Sequence, residues 1–303
     1  MYKSFFHLNS NPFNMSPDPR FLYMMPQTRE ALAGLEHGIA ARKGFIVLVG
    51  EVGTGKTTLL RHAIGSFEKG RIFTSYIFNP RLDFLDFLDF VLNDFGIKPA
   101  TRTKSGMLIE LNRWLIERYR RNQTCVIVVD EAQELSSELL EEIRLLTNLE
   151  TSSEKLVQII LSGQPELEEK LRQPELRQLR QRVSLWCRTG TMSSEQTEAY
   201  IVQRLSIAGT DDEIFTSGAL AAVHNFSRGT PRIVNLLCEH ALLLAYAEQM
   251  HTIPEHVIVA VAQELDLEPQ LFPVPMTHAS LLMGDKRAGE VRQPSVLTRK
   301  GNG

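Results

Sequence analysis

Apolar positions recur at helical spacing between Thr28 and Arg42, where Ala31, Leu32, Leu35 and Ile39 fall on one face. Gly44 breaks that pattern immediately before the unbroken apolar run Phe45 to Val49, which predicts a strand buried on both faces. From there the two periods alternate. The pattern predicts a helix from Lys56, a strand over Ile72 to Phe78 and helices from Leu82 and over Ser105 to Arg121. A strand over Thr124 to Val129, a helix over Ser136 to Leu149 and a strand over Leu156 to Leu161 follow. Alternation of this kind predicts an α/β fold, a parallel sheet sandwiched by helices. Short Arg-rich helical pieces follow Pro165, and Val183 to Arg188 predicts a last strand.

Beyond that strand the β pattern stops. Ser193 and Gln196 form a capping box for a helix reaching about Ala208, Thr216 caps the next, Pro231 occupies the first turn of a third, and Pro254 opens a fourth. The expected organisation is therefore an N-terminal lead and helix (1–43), a sheet domain (44–190), a small all-helical lid domain (191–264) and a tail (265–303). The lead as far as Pro19 is rich in Asn, Pro and aromatics and reads as ordered but irregular. The tail has Pro, Gly and charge without periodicity and reads as disordered. In the helix from Leu82, Phe84, Leu85, Phe87, Leu88, Phe90 and Val91 read as core or subunit-contact positions, and Asp83, Asp86 and Asp89 as a solvated face.

The chemistry sits where strands end. Gly50, Glu51, Val52, Gly53, Thr54, Gly55, Lys56 and Thr57 match the P-loop pattern, between a predicted strand and a predicted helix. Glycines there let backbone amides face phosphate oxygens, Lys56 adds charge at the β and γ phosphates, and the Thr57 hydroxyl suits Mg2+. The glycine fingerprint of a dinucleotide fold is absent. The β-branched run Val126 to Val129 ends in Asp130 and Glu131, a Walker B pattern in which Asp130 holds the metal and Glu131 serves as general base. The strand Leu156 to Leu161 ends in Ser162, Gly163 and Gln164, with Gln164 the candidate sensor of the γ-phosphate and Ser162 its competitor. Arg172, Arg177, Arg180, Arg182 and Arg188 crowd the next segment. Arg182 is the candidate to reach a neighbouring subunit's nucleotide, against a solvated helix face or contact with nucleic-acid phosphates. Arg232, opening a helix after Gly229, Thr230 and Pro231, is placed to project from the lid onto nucleotide.

Composition narrows the partners. With 33 Lys plus Arg against 36 Asp plus Glu, the net charge of −3 excludes a globally basic nucleic-acid binder and leaves a local basic patch open. The cysteines, Cys125, Cys187 and Cys238, lie far apart in apolar stretches, as reduced buried thiols do. No secretion signal opens the chain and no apolar run is of membrane-spanning length, so a cytoplasmic location is expected.

These motifs, in this order, resemble the AAA+ superfamily, and within it the general secretion pathway protein A (ExeA-like) ATPases. The stretches that carry the resemblance are Pro12 Phe13, Pro17 to Tyr23, Gly50 to Thr58, Asp130 to Gln133, Asn148 to Thr151, Gly163 to Leu167, Leu179 to Arg182, and Ser227 to Arg232 with Asn235 to Cys238. Together they span roughly Met1 to Gln263. The resemblance implies ATP and Mg2+ bound between a large domain and a helical lid, Gln164 as sensor 1, Arg182 as arginine finger, Arg232 as sensor 2, and a nucleotide-dependent oligomer. Family members in secretion systems carry a membrane span and a peptidoglycan-binding region after the ATPase. This chain is expected to have neither, and to be recruited to the inner membrane face by a membrane-anchored secretion or envelope protein. The alternative expectation is a nucleic-acid-binding regulator resembling transposition ATPases.

Overall fold

The computed structural model describes residues 2–78, 82–152 and 154–269, so most of the expected tail lies outside the described residues. In chain order the elements are α1 (Tyr2–Phe5), α2 (Pro26–Ala40), β1 (Phe45–Val49), α3 (Lys56–Gly65), β2 (Ile72–Ile77), α4 (Phe84–Asp94), α5 (Lys104–Arg120), β3 (Thr124–Val129), α6 (Ser137–Leu146), β4 (Val157–Gly163), α7 (Pro165–Leu171), α8 (Arg177–Arg182) and β5 (Val183–Arg188). The helices α9 (Ser194–Ala208), α10 (Ser217–Ser227), α11 (Pro231–Ala247) and α12 (Glu255–Glu264) complete the described chain.

The strands form one five-stranded sheet in the order β2-β3-β4-β1-β5, with every pairing parallel. Central strands of a parallel sheet are covered on both faces, which is why β1 and β4 are buried at every position; β1 is apolar throughout, while β4 carries the buried polar residues Gln158, bonded to the Gly44 amide, and Ser162. Alternate residues go to opposite sides. Val47, Ile127, Val129, Ile159 and Leu161 pack with Phe87, Leu88, Leu111 and Ile143 of α4, α5 and α6. Ile46, Leu48, Val126, Val128 and Ile160 pack with Leu35 and Ile39 of α2 and Leu59 and Leu60 of α3.

Caps set the helix limits. Asp83 accepts from the Asp86 amide at 2.9 Å and starts α4 at Phe84 rather than Leu82. Asp89 is ion-paired with Arg102, so two of the aspartates expected on a solvated face have structural partners. Phe87, Leu88 and Val91 are buried, while Leu85 and Phe90 are exposed. The helix α6 ends at Leu146, three residues short of the apolar pattern, and the Thr147 hydroxyl closes it on the Arg144 carbonyl at 2.7 Å. The Ser193–Gln196 capping box is present in full, Thr216 caps α10, and Pro231 sits in the first turn of α11.

The four helices α9–α12 share a second core, and the N-terminal lead is part of it. Tyr2, Phe6, Leu8, Phe13, Phe21 and Met25 are buried with Ile201, Leu205, Val223, Leu237 and Ile258. Polar contacts fix the same association. Arg204, only 7% exposed, donates to the carbonyls of Pro12 and Phe21 and to the Tyr200 hydroxyl, and its guanidinium lies 4.6 Å from the Phe21 ring centre. The Tyr2 hydroxyl and the Asn11 amide both donate to the Glu239 carboxylate, at 3.0 and 2.9 Å. Leu265 and Leu267 also rest on this core, so the first residues beyond α12 are packed.

Candidate functional site

Because all strands run the same way, the loops after β1, β3 and β4 open on one edge of the sheet, where a parallel α/β sheet places its chemistry. The loop after β1 turns through Gly53 at φ +80° and Gly55 at φ +92°, left-handed conformations that glycine adopts without strain. The Arg232 amide, in the first turn of α11, donates to the Gly53 carbonyl at 3.1 Å. A Cβ on Gly53 would stand 2.7 Å from the Arg232 Cβ and 3.2 Å from the Thr230 Cγ2, so loop and helix touch backbone to backbone. Thr54 shares a hydroxyl hydrogen bond of 2.7 Å with Thr189, which follows β5, and donates to the Glu51 carbonyl at 2.8 Å.

Lys56 opens α3 and is 6% exposed, with its ammonium donating to the carbonyls of Gly50 (2.7 Å) and Glu51 (3.1 Å). Burial pushes its pKa down, against the opposing charges of Glu131 and Asp130. The N-terminus of α3 and the loop amides before it make the usual cradle for an anion.

At the next residue, the Thr57 hydroxyl donates to Asp130 Oδ2 at 3.0 Å, and the Tyr76 hydroxyl reaches the same oxygen at 3.4 Å. Burial and then the Asp130 charge push the Tyr76 phenol up, so it stays a neutral donor. The other Asp130 oxygen accepts from the Ser162 hydroxyl at 2.9 Å and from the Glu131 amide at 3.1 Å. Thr57 and Asp130 thus offer two hard oxygens side by side, the donor set Mg2+ takes when phosphate and water supply the rest. Among the described residues no cluster of three or more His, Cys, Asp or Glu forms an all-protein metal cage.

Glu131 has a left-handed backbone, φ 51°, at the end of β3. Its Oε2 accepts from the Gln133 amide at 2.7 Å and from the Gln164 amide at 3.2 Å. Burial works to raise its pKa, but the two amides and the Lys56 charge outweigh that and hold the carboxyl below the usual range. It is therefore ionised at neutral pH, as a proton acceptor must be.

A cleft of about 360 Å3 lies over these groups, walled by Pro17, Leu22 and Tyr23 of the lead, by the loop and start of α3 from Val52 through Thr58, and by Tyr200, Arg204 and Arg232 of the helical domain. Lys56, Thr57, Glu131 and Arg232 line it, and Asp130 joins through its bond from Thr57 and Gln164 through its bond to Glu131. Ser162 and Gln164, alternatives in the sequence, take different partners: Ser162 holds Asp130 and Gln164 holds Glu131. Tyr76, Thr189 and Gln133 join the site without having been singled out for a role. Gln133 alone had a local signal, its place two residues after Glu131.

Arg182 is not brought to this cleft. It ends α8 just before Val183, which pairs with Phe45 at the start of β1, whereas the loop leaves β1 at its far end. A strand of this length puts them on the order of 15 Å apart along the sheet. Its charge lies near Glu150. Arg172 and Arg188 both pair with Glu168, at 2.7 and 3.0 Å, so the Arg-rich segment is partly neutralised within the chain.

Residues 39–171 match the AAA domain family. General secretion pathway protein A of Aeromonas hydrophila is 41% identical over 266 residues, which is 88% of this chain and 48% of that protein, so the chain spans about half of its relative. Among solved structures, Cdc6p from Pyrobaculum aerophilum is similar with a TM-score of 0.66 at 16% identity, over 85% of this chain and 71% of the other. The Aeropyrum pernix ORC2 protein in its ADPNP-ADP complexes gives 0.62 at 15% identity, over 82% and 72%. The RuvB Holliday junction branch migration motor of Thermotoga maritima gives 0.52 at 17% identity, over 79% and 70%. These likenesses establish the fold of the sheet and the helical domain beside it.

Proposed function

The chain belongs to the AAA+ ATPases related to general secretion pathway protein A, and from that premise we propose that it binds ATP with Mg2+ and hydrolyses it in the cleft between its sheet and helical domains. The observation that carries this reading is the convergence of the Lys56 ammonium, the Thr57–Asp130 oxygen pair and the ionised Glu131 on one cleft. Loop amides from Gly50 to Thr57 and the Lys56 ammonium bind the β and γ phosphates. Thr57 and Asp130 hold Mg2+, which neutralises phosphate charge when bound. Glu131 accepts the proton of the attacking water, and Gln164 orients that carboxylate beside the γ-phosphate. Arg232 extends from α11, so its contact with nucleotide links the helical domain to the state of the site.

Arg182 lies at the other end of the sheet from its own cleft and serves a neighbouring subunit, which makes the active form an oligomer. The relative's name ties it to secretion. We take the nucleotide cycle of this chain to drive assembly or remodelling of a secretion or envelope complex at the cytoplasmic face of the membrane, where ATP is available. Among the described residues no helix is long and apolar enough to cross a membrane, and the partner we propose is a membrane-anchored secretion or envelope protein.

ATP turnover of wild type, Glu131→Gln and Arg182→Ala, each across a protein-concentration series with sedimentation alongside, tests this reading. Wild-type turnover per subunit is expected to rise with concentration. Each variant should lose about 100-fold or more while still binding ATP. Mixing the two variants should restore activity, because the interface between an intact Glu131 and an intact Arg182 is then rebuilt. Unaltered turnover in Glu131→Gln would remove the general base, and no recovery on mixing would remove the shared site.

A further inference from the structure

We infer that Gln133 is a positioning residue that fixes the Glu131 carboxylate for proton transfer and locks it to Gln164, so that both act as one unit. The inference rests on the hydrolytic reading above and deepens it. Gln133 uses both ends of its amide. Its nitrogen donates to Glu131 Oε2 at 2.7 Å, and its oxygen accepts the Gln164 backbone amide at 3.1 Å. Gln164 closes the ring by donating its own side-chain amide to the same Glu131 oxygen at 3.2 Å. The ends of β3 and β4 are thus joined through three hydrogen bonds, two of them ending on the Glu131 carboxylate and the third between Gln164 and Gln133.

The surroundings hold this ring in place. Gln133 lies on the 3-10 turn Ala132–Glu134, and the Lys170 ammonium on α7 donates to the carbonyls of Gln133 and Leu135 at 2.6 Å each, pinning the turn. At Gly163 a Cβ would stand 2.7 Å from the Gln133 oxygen, so a glycine there admits the amide against the end of β4. A carboxylate on a two-bond stem at a strand end has several rotamers, and two converging donors select one. Holding Oε2 in this way leaves Oε1 as the oxygen that faces water, and the general base is already oriented when nucleotide enters.

Gln133→Met keeps the length of the side chain and removes both hydrogen-bonding ends. Gln133→Glu keeps an acceptor for the Gln164 amide and sets a like charge against Glu131. Steady-state ATP turnover, ATP affinity and thermal melting are measured for both, and for Gln133→Met combined with Glu131→Gln. The expected result is a fall in kcat of about 10-fold or more in Gln133→Met, with KM, ATP affinity and melting temperature close to wild type. Gln133→Glu should be at least as impaired. In the Glu131→Gln background the Met substitution should cost nothing further, since its effect passes through that carboxylate. Wild-type kcat in Gln133→Met overturns the inference, and so does recovery by Gln133→Glu, which would leave only the contact with Gln164. A full additional loss in the Glu131→Gln background overturns it as well. A wild-type protein that binds ATP without turning it over fails earlier, in the control, and removes the hydrolytic reading together with this one.

Discussion

Substituting Gly53 by alanine should uncouple the nucleotide loop from the helical domain. Two costs combine at this position. The residue sits at φ +80°, where a side chain costs about 1–2 kcal/mol relative to glycine. The new methyl would also stand 2.7 Å from the Arg232 Cβ and 3.2 Å from the Thr230 Cγ2. The Arg232 Cβ is fixed by its own backbone and cannot swing aside, and overpacking of this kind costs about 1–3 kcal/mol. The total, about 2–5 kcal/mol, is relieved most easily by withdrawing the first turn of α11 and giving up the hydrogen bond from the Arg232 amide to the Gly53 carbonyl. ATP bound between the two domains then loses that closed arrangement. At about 1.4 kcal/mol per factor of ten, the expected weakening of ATP affinity is roughly 30-fold or more. The sheet and helical cores are untouched, so the main thermal transition should move little. Titration with a fluorescent ATP analogue, with calorimetric melting on the same samples, measures both quantities. ATP affinity within twofold of wild type would show that the loop and α11 are not in contact in solution, and the lid argument built on Arg232 would fall.

Two further expectations follow from burial. Replacing Arg204 by lysine keeps the charge but loses the fork that reaches Pro12, Phe21 and Tyr200, at a cost of about 2–3 kcal/mol. Trypsin should then cut first in the lead, and cleavage elsewhere at wild-type rate and order would refute the anchoring role. Burial raises the thiol pKa of Cys125 to about 12 and of Cys187 to about 11, and raises that of Cys238 as well. Thiolate is therefore scarce at pH 8, and a disulfide reagent should label none of the three cysteines in the native protein and all of them in guanidinium. Rapid native labelling of any one would contradict the packing around it.

What the sequence made legible was local. Central strands were visible because burial on two faces selects mainly apolar, β-branched positions, and the caps at Ser193 and Thr216 were visible because the hydroxyl and the amide it binds, at Gln196 and Ala219, are close in sequence. The P-loop, Asp130 and Glu131 were legible because their chemistry requires fixed residue types at strand ends. Long-range pairings were not. Arg204 looks like any surface charge on a helix, and nothing near it announces Pro12, 192 residues away. Phe13 packs edge-on against Phe215, a contact for which periodicity carries no signal. Leu149 continues an apolar pattern that the backbone abandons at Leu146, since hydrophobic spacing persists after a helix has turned away. The choice between Ser162 and Gln164 stayed open because both sit where β4 ends, and only the position of neighbouring β3 separates their partners.

The lead buried among the helices has a consequence for how the protein comes into being. Tyr2, Phe6, Phe13 and Phe21 leave the ribosome before the sheet has been made, and the helices that cover them are the last described part to follow. At typical synthesis speeds the interval is on the order of tens of seconds. During it the sheet domain has all of its own strands and can close, while a stretch of aromatic chain waits uncovered in front of it. Burial of the lead therefore waits for the helices, and a segment made before the sheet finds its place only after it.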